Sequence, residues 1–291
     1  MANPDLVGLM SELLNMDRLE YFRIVEQSEK GAKSIDIAEE ILKSKGITSA
    51  KEIKNENIKV NKRLRKLVDL KVLSSSEKGV YTISSLGYML IDSWRELNEK
   101  VETLDKFREF FDTHYVEDIP QEFLRQIYRL NGADVTLNPI QWMKEVTRYM
   151  KKIERKFYNV TEYIHDIPDE ILEKKLEGKI EEISILYQFH KYPELNYPDE
   201  KELFDDLVSA HVEFRYLTLE NRHPMGIRVV DEKWATFGLA RKSDETLDRD
   251  RTLIGTDKNF VSWCRDLMYH MWHFEAKPLK TSEVVAKDQK K

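Results

Sequence analysis

Residues 58–87, IKVNKRLRKLVDLKVLSSSEKGVYTISSLG, decide how the N-terminal third is read. Val60, Leu64, Leu67 and Val68 recur at the spacing of one face of an α-helix. Asn61, Lys62, Arg63, Arg65 and Lys66 fall elsewhere on that helix. It has an apolar side for a core and a cationic, amide-bearing side for solvent or phosphate. At Leu70–Leu73 the pattern turns extended, and Ser74–Gly79 reads as a turn. Val80–Ile83 reads as the returning strand, and Ser84 or Ser85 is placed to cap the next helix. Helix, short hairpin, helix is the order of a winged helix-turn-helix, with the hairpin as wing.

Upstream, Asp5–Ser28 has apolar residues near helical spacing, and Gly31 closes that helix. Ser34 suits the N-cap of a second helix, IDIAEEILKSKG, which Gly46 ends. Thr48–Asn57 reads as a polar connection to the third. The α+β N-terminal domain is placed at 1–100. Beyond it a helix runs to about residue 111 with the stripe Leu86, Met89, Leu90, Trp94, Leu97, Val101, Leu104 and Phe107.

A chain of 291 residues holds about two domains at ~150 residues each. No apolar run approaches the ~18 residues of a membrane span, and the N-terminus lacks the pattern of a signal peptide. Cys264 is the single cysteine, so no intrachain disulfide or cysteine zinc site is expected, and a cytoplasmic protein is. The net charge of −6 is unevenly spread: residues 1–100 carry +1 and the remainder −7. Seven basic residues lie between Lys54 and Lys71, with Glu52, Glu56 and Asp69 the acids nearby. A local basic stripe, not whole-chain charge, is what a small DNA reader needs.

Groove geometry then assigns roles. A helix fits the major groove of double-stranded DNA, and its outward side chains reach base edges. Asn61 suits adenine, and Lys62 and Arg63 suit guanine. Lys59, Arg65 and Lys66 suit phosphates, Lys78 stands at the wing tip, and Tyr81 on the returning strand completes the set.

From His114 onward helices and strands alternate, which means an α/β domain over 112–278 with a mixed or parallel sheet. Expected strands are Ala133–Leu137, Val160–His165, Ile180–Gln188, Val212–Leu219, Ile227–Val230 and Trp234–Ala240. Expected helices begin near Pro120, run from Pro139 through Phe157, from Pro168 to Lys175, from Asp199 to Ser209 and from Asp257 to Phe274. The charged tail, 279–291, is expected to fray.

The run VNKRLRKLVDLKVL…GVYTISSLG resembles the recognition helix and wing of archaeal winged-helix transcription regulators. Lys71 stands where those have a glycine. The stretch from Val229 through Leu267, with FDTHYVEDIPQEFL ahead of it, resembles the sensor domain of methanogenesis-regulator-type proteins. That domain is a phospholipase-D-like fold without catalytic residues. The resemblance implies a homodimeric DNA-binding transcription regulator whose second domain senses a small molecule, an anionic effector or a partner.

His223…Asp231…Gly238 resembles one degenerate half of the phospholipase D signature. Met225 stands in place of the lysine, the His-to-Asp interval is one residue too long, and no second copy exists. A lone His without its lysine cannot attack and neutralise a phosphodiester, so no catalytic residue is assigned. Arg215, His223, Arg228 and Arg241 are the candidates for an anion site in the sheet mouth. His270 and His273 share a helix face but lack a third ligand, so no metal and no cofactor is expected. Trp263, Tyr269, Trp272 and Phe274 read as core or dimer contact, and Cys264 as a buried small hydrophobe. The competing reading of the chain is a protein-interaction adaptor whose winged helix binds protein.

Overall fold

The computed structural model describes residues 16–28, 30–76, 78–136, 138–163, 169–190, 194–195, 199–220, 222–279 and 285–286. The chain is mixed α and β and divides into two compact units, Met1–Asn98 and Glu99–Lys291. The expected first helix falls partly on 1–15, outside the described residues.

The first unit contains α1 (Met16–Gln27), β1 (Ala32–Lys33), α2 (Ser34–Ser44), α3 (Ala50–Asp69), β2 (Leu73–Ser75) and β3 (Val80–Ile83). The helix α4 (Ser85–Lys106) begins in it. Its three strands form an antiparallel sheet in the order β1-β3-β2. Ile37, Ala38 and Ile41 of α2, Val60, Leu64 and Leu67 of α3, and Val72, Leu73 and Tyr81 of the hairpin close one core.

α3 is longer than its apolar stripe suggests. The expected connection Thr48–Asn57 is helical from Ala50 onward, and Ser49 holds the extended N-cap backbone. No glycine or proline interrupts Ala50–Asp69, and its lysines and glutamates are good helix formers. At the other end Lys71 takes the left-handed backbone, φ +61°. The N–H of Lys71 donates to the Val68 carbonyl and that of Val72 to Leu67, a Schellman stop. Ser84 then caps α4: its Oγ accepts from the Gly87 N–H at 2.9 Å and donates to the Val72 carbonyl.

The second unit is built on an eight-stranded mixed sheet. Its elements are α5 (Arg108–Thr113), α6 (Gln121–Arg125), β4 (Asp134–Val135), α7 (Pro139–Met150), β5 (Lys156–Thr161), α8 (Asp169–Leu176) and β6 (Glu182–Phe189). β7 (Glu194–Leu195), α9 (Asp199–Ser209), β8 (Glu213–Thr218), β9 (Met225–Val230), β10 (Trp234–Leu239) and β11 (Leu253–Gly255) follow. α10 (Lys258–His270) runs into a π turn, and β12 (Lys277–Pro278) and β13 (Val285–Ala286) end the described chain. The sheet order is β12-β8-β6-β5-β9-β10-β11-β4.

β5, β6 and β8 are parallel neighbours, with α8 and α9 in the crossovers between them. Both sheet faces are covered, which is why β6 reads as nearly continuous apolar sequence. Tyr158, Val160, Ile227, Val229 and Phe237 face one core with α6 and α10. Phe157, Ile185, Tyr187, Val230 and Trp234 face the other with α7, α8 and α9.

Three expectations change here. α7 stops at Met150, and Phe157 belongs to β5, because pairing on both sides outweighs the helix propensity of the lysine-rich link. The last helix passes from α to π geometry at Met271 and continues to Glu275, and Phe274 within that π turn is exposed. Within the tail, Val285 and Ala286 pair with β7, and just ahead of it Lys277 and Pro278 pair with Tyr216 and Arg215 of β8. Leu137 and residues 164–165 of the expected strands, and residue 168 at the start of an expected helix, lie outside the described residues.

Candidate nucleic-acid interface and sheet pocket

The face of α3 opposite Val60, Leu64 and Leu67 carries Lys59, Lys62, Arg65 and Lys66, all exposed. Lys59 also pairs with Glu56 one turn back, at 3.1 Å. Lys78 is exposed between β2 and β3. Ile58 beside them is 64% exposed, an apolar side chain that sequence reasoning passed over.

The other expected DNA-facing residues sit differently. Tyr81 is only 6% exposed and belongs to the core, its hydroxyl donating to Asn61 Oδ1 at 3.1 Å. Asn61 is half-buried by that contact. Arg63 is half-buried as well: its guanidinium donates to the Tyr21 hydroxyl and lies 5.7 Å from that ring's centre. Both residues flank the apolar stripe of α3 and brace the helix.

In the second unit a polar row crosses three adjacent strands. Asn159 of β5 is in register with Arg228 of β9, and Arg228 with Thr236 of β10. The row is nearly inaccessible: Asn159 is 1% and Arg228 5% exposed. It faces α7, where the Arg228 guanidinium lies 5.6 Å from the centre of the Trp142 ring. Between them is a cavity of about 40 Å³, lined also by Thr161, Leu247, Asp248, Arg249 and Thr252.

The cavity exists because its floor is glycine. Gly226 lies opposite Gly238 in the β9–β10 ladder. A methyl at 226 would come within 3.2 Å of Leu247, and one at 238 within 3.0 Å of Thr252. Among the described residues, two donors at the cavity have no acceptor: Asn159 Nδ2 and Trp142 Nε1. Asp248 is already engaged. Its Oδ1 accepts from the N–H groups of Asp250 and Arg251, and its Oδ2 faces His114 Nε2 at 3.2 Å.

The four residues expected to form one anion site do not converge. Arg228 alone lines this cavity. Arg215 donates to the Trp272 carbonyl at 2.6 Å and stacks on that indole. His223 Nδ1 meets Asp118 Oδ2 at 2.8 Å, and its ring stacks on Tyr115. Arg241 pairs with Asp244 at 2.8 Å and lines a separate, wider depression of about 580 Å³. Asp231, the acid of the degenerate signature, is a turn clamp: its oxygens accept from the N–H groups of Glu154, Arg155 and Lys156. Sequence reasoning missed Asn159, Thr236 and Trp142. The available signal was a polar residue at an inward position in each of three strands.

His270 is flanked by Glu122 and Glu275, at 2.8 and 3.3 Å. Among the described residues no three His, Cys, Asp or Glu side chains gather as a metal set, and no helix is long and apolar enough to cross a membrane.

No protein-family model matches the chain, and no curated protein matches it. Several solved structures are similar at a low level. An archaeal chromatin protein, TrmBL2, described as showing a novel mode of DNA binding, aligns over 77% of this chain and 83% of its own, at 14% identity and a TM-score of 0.37. NucT from Helicobacter pylori aligns over 50% of this chain and 98% of its own, at 10% identity and a TM-score of 0.34. Phosphatidylserine synthase from Haemophilus influenzae Rd KW20 aligns over 53% of this chain and 41% of its own, at 11% identity and a TM-score of 0.36. At these scores none of their properties is transferred to this chain.

Proposed function

We propose that the first unit is a winged helix-turn-helix that binds double-stranded DNA, and that the chain is a homodimeric transcription regulator with a non-catalytic, effector-sensing second unit. The observation that carries this reading is the exposed row Lys59, Lys62, Arg65 and Lys66 on α3, with Lys78 on the adjoining hairpin. A helix so decorated enters a major groove with cations toward the phosphates. Ile58 supplies the apolar contact that a thymine methyl accepts. Two-fold dimers read paired half-sites, and α4 offers a seam for pairing: Leu97, Val101 and Leu104 are exposed at the 4-3 spacing of a coiled coil. Sensing rather than catalysis suits a second unit in which His223 is tied to Asp118 and lacks the signature's lysine.

Selection of genomic fragments by the full-length protein, followed by anisotropy at two salt concentrations, tests the DNA reading. Each phosphate neutralised contributes roughly 0.9 to the slope of log K on log salt, so five engaged cations give about 4.5 per chain. Lys62→Ala with Lys66→Ala should remove specific binding with the circular dichroism unchanged. No enriched motif and salt-insensitive binding would reassign the unit to protein contacts, the adaptor reading. A chromogenic phosphodiester hydrolysed by the wild type and not by His223→Ala would overturn the non-catalytic assignment.

A further inference from the structure

We propose that the cavity between Trp142 and the Asn159–Arg228–Thr236 row binds a small oxyanion, a carboxylate or phosphate group carried by the effector. This deepens the sensing role proposed above and rests on it. Buried polar atoms are nearly always satisfied, so a buried donor without an acceptor calls for a ligand or water. Here two such donors, Asn159 Nδ2 and Trp142 Nε1, meet at one small space. Both ask for an acceptor, which argues against an apolar ligand. A cation is disfavoured because Arg228 and Arg249 both line the space and the oxygens of Asp248 are already engaged.

The size fits. A space of about 40 Å³ exceeds the ~10–15 Å³ that one water needs and suits a few heavy atoms, not a whole metabolite. The lining is cationic as well: Arg228 and Arg249 both border the space, and the Asp248 carboxylate beside them is held by His114. Hydrogen bonds from guanidinium, amide and indole to an ionised oxygen among buried side chains are the strong kind.

The test uses full-length protein labelled with nitrogen-15 and no DNA. Among the five tryptophan indole N–H resonances, Trp142→Phe identifies the one at the cavity. Sodium phosphate and sodium acetate are each titrated against sodium chloride at constant ionic strength. The expected result is a saturating shift of the Trp142 resonance with at least one of the two. Saturation by phosphate alone or by acetate alone identifies the source of the oxyanion.

Arg228→Met and Asn159→Leu should each weaken that binding by roughly tenfold or more. His223→Ala, outside the cavity, should leave it unchanged. A resonance that never moves in a saturable way means that the cavity holds water only, and the proposal falls. It falls equally if the shift survives both substitutions undiminished. Should Arg228→Met not fold, Asn159→Leu and the wild-type titration decide. Because DNA is absent, failure of the DNA reading leaves this result standing, and the reverse holds too.

Discussion

Lys71 stands in a backbone conformation that L side chains occupy at a cost, where a glycine would occupy it freely. Its Cβ crowds the following carbonyl at φ +61°. Lys71→Gly removes that strain, and glycine's greater freedom in the unfolded chain offsets part of the gain. The expected outcome is a stabilisation of roughly 0.5–1 kcal/mol, read from urea unfolding as a higher midpoint at unchanged m. Gly87 is the opposite case. A methyl there would meet the Val72 carbonyl oxygen at 2.1 Å, against backbone rather than a yielding side chain. Gly87→Ala should destabilise the first unit by about 2–3 kcal/mol, and a thermal melt unchanged from the wild type would show that α4 shifts to make room. The departure at Lys71 was visible in the sequence as a lysine at a glycine position. The contact at Gly87 was not, because it depends on how closely α4 passes the hairpin.

Among the elements, α4 carries the clearest unspent surface. Its apolar stripe faces outward at Leu97, Val101 and Leu104, whereas Ile91 nearer its start is buried in the first unit's core. Leu97→Glu with Leu104→Glu places carboxylates into the proposed seam. Sedimentation equilibrium should then report monomer where the wild type is dimer, with circular dichroism retained. A wild type that is already monomeric would remove the seam from the proposal.

The helices and buried strands were legible because their apolar residues keep period, as Val60, Leu64 and Leu67 do on α3 and the ISILYQF run does on β6. Element ends were less legible. Polar residues at 50–57 looked like a loop though nothing in them breaks a helix, and β12 is two residues whose strand character comes entirely from its partner. The candidate site was legible only through Arg228. Asn159 and Thr236 acquire meaning from register across three strands, and register is a property of pairing that a single strand does not display.

For the whole molecule, the single thiol is a useful reporter of the second unit. Cys264 is fully buried in α10, and burial holds its thiol well above the ordinary range. The folded protein should therefore give no reaction with Ellman's reagent near pH 8 and the full single equivalent once unfolded. The sign of the linkage follows. The folded thiol keeps a proton that the unfolded thiol releases, so its contribution is complete below the unfolded thiol's range and declines as pH rises through it. Denaturant midpoints at pH 7 and pH 9.5 should fall in that order. Thiol exposure that precedes the loss of circular dichroism would show the second unit opening before the first. The net charge is +1 over residues 1–100 and −7 over the rest, so the acidic excess lies in the second part of the chain.

The glycine pair beneath the cavity has a consequence for descent. The donors that would hold a ligand sit on Asn159, Arg228 and Trp142, while the room available to it is set by hydrogens at 226 and 238. Glycine and alanine codons differ by one base. A lineage can therefore shrink the chamber by a methyl, against Leu247 or Thr252, without altering any group that does the holding. If the proposed oxyanion binds there, affinity and selectivity would be inherited separately, and related chains would be free to exchange one guest for another by the smallest genetic step available.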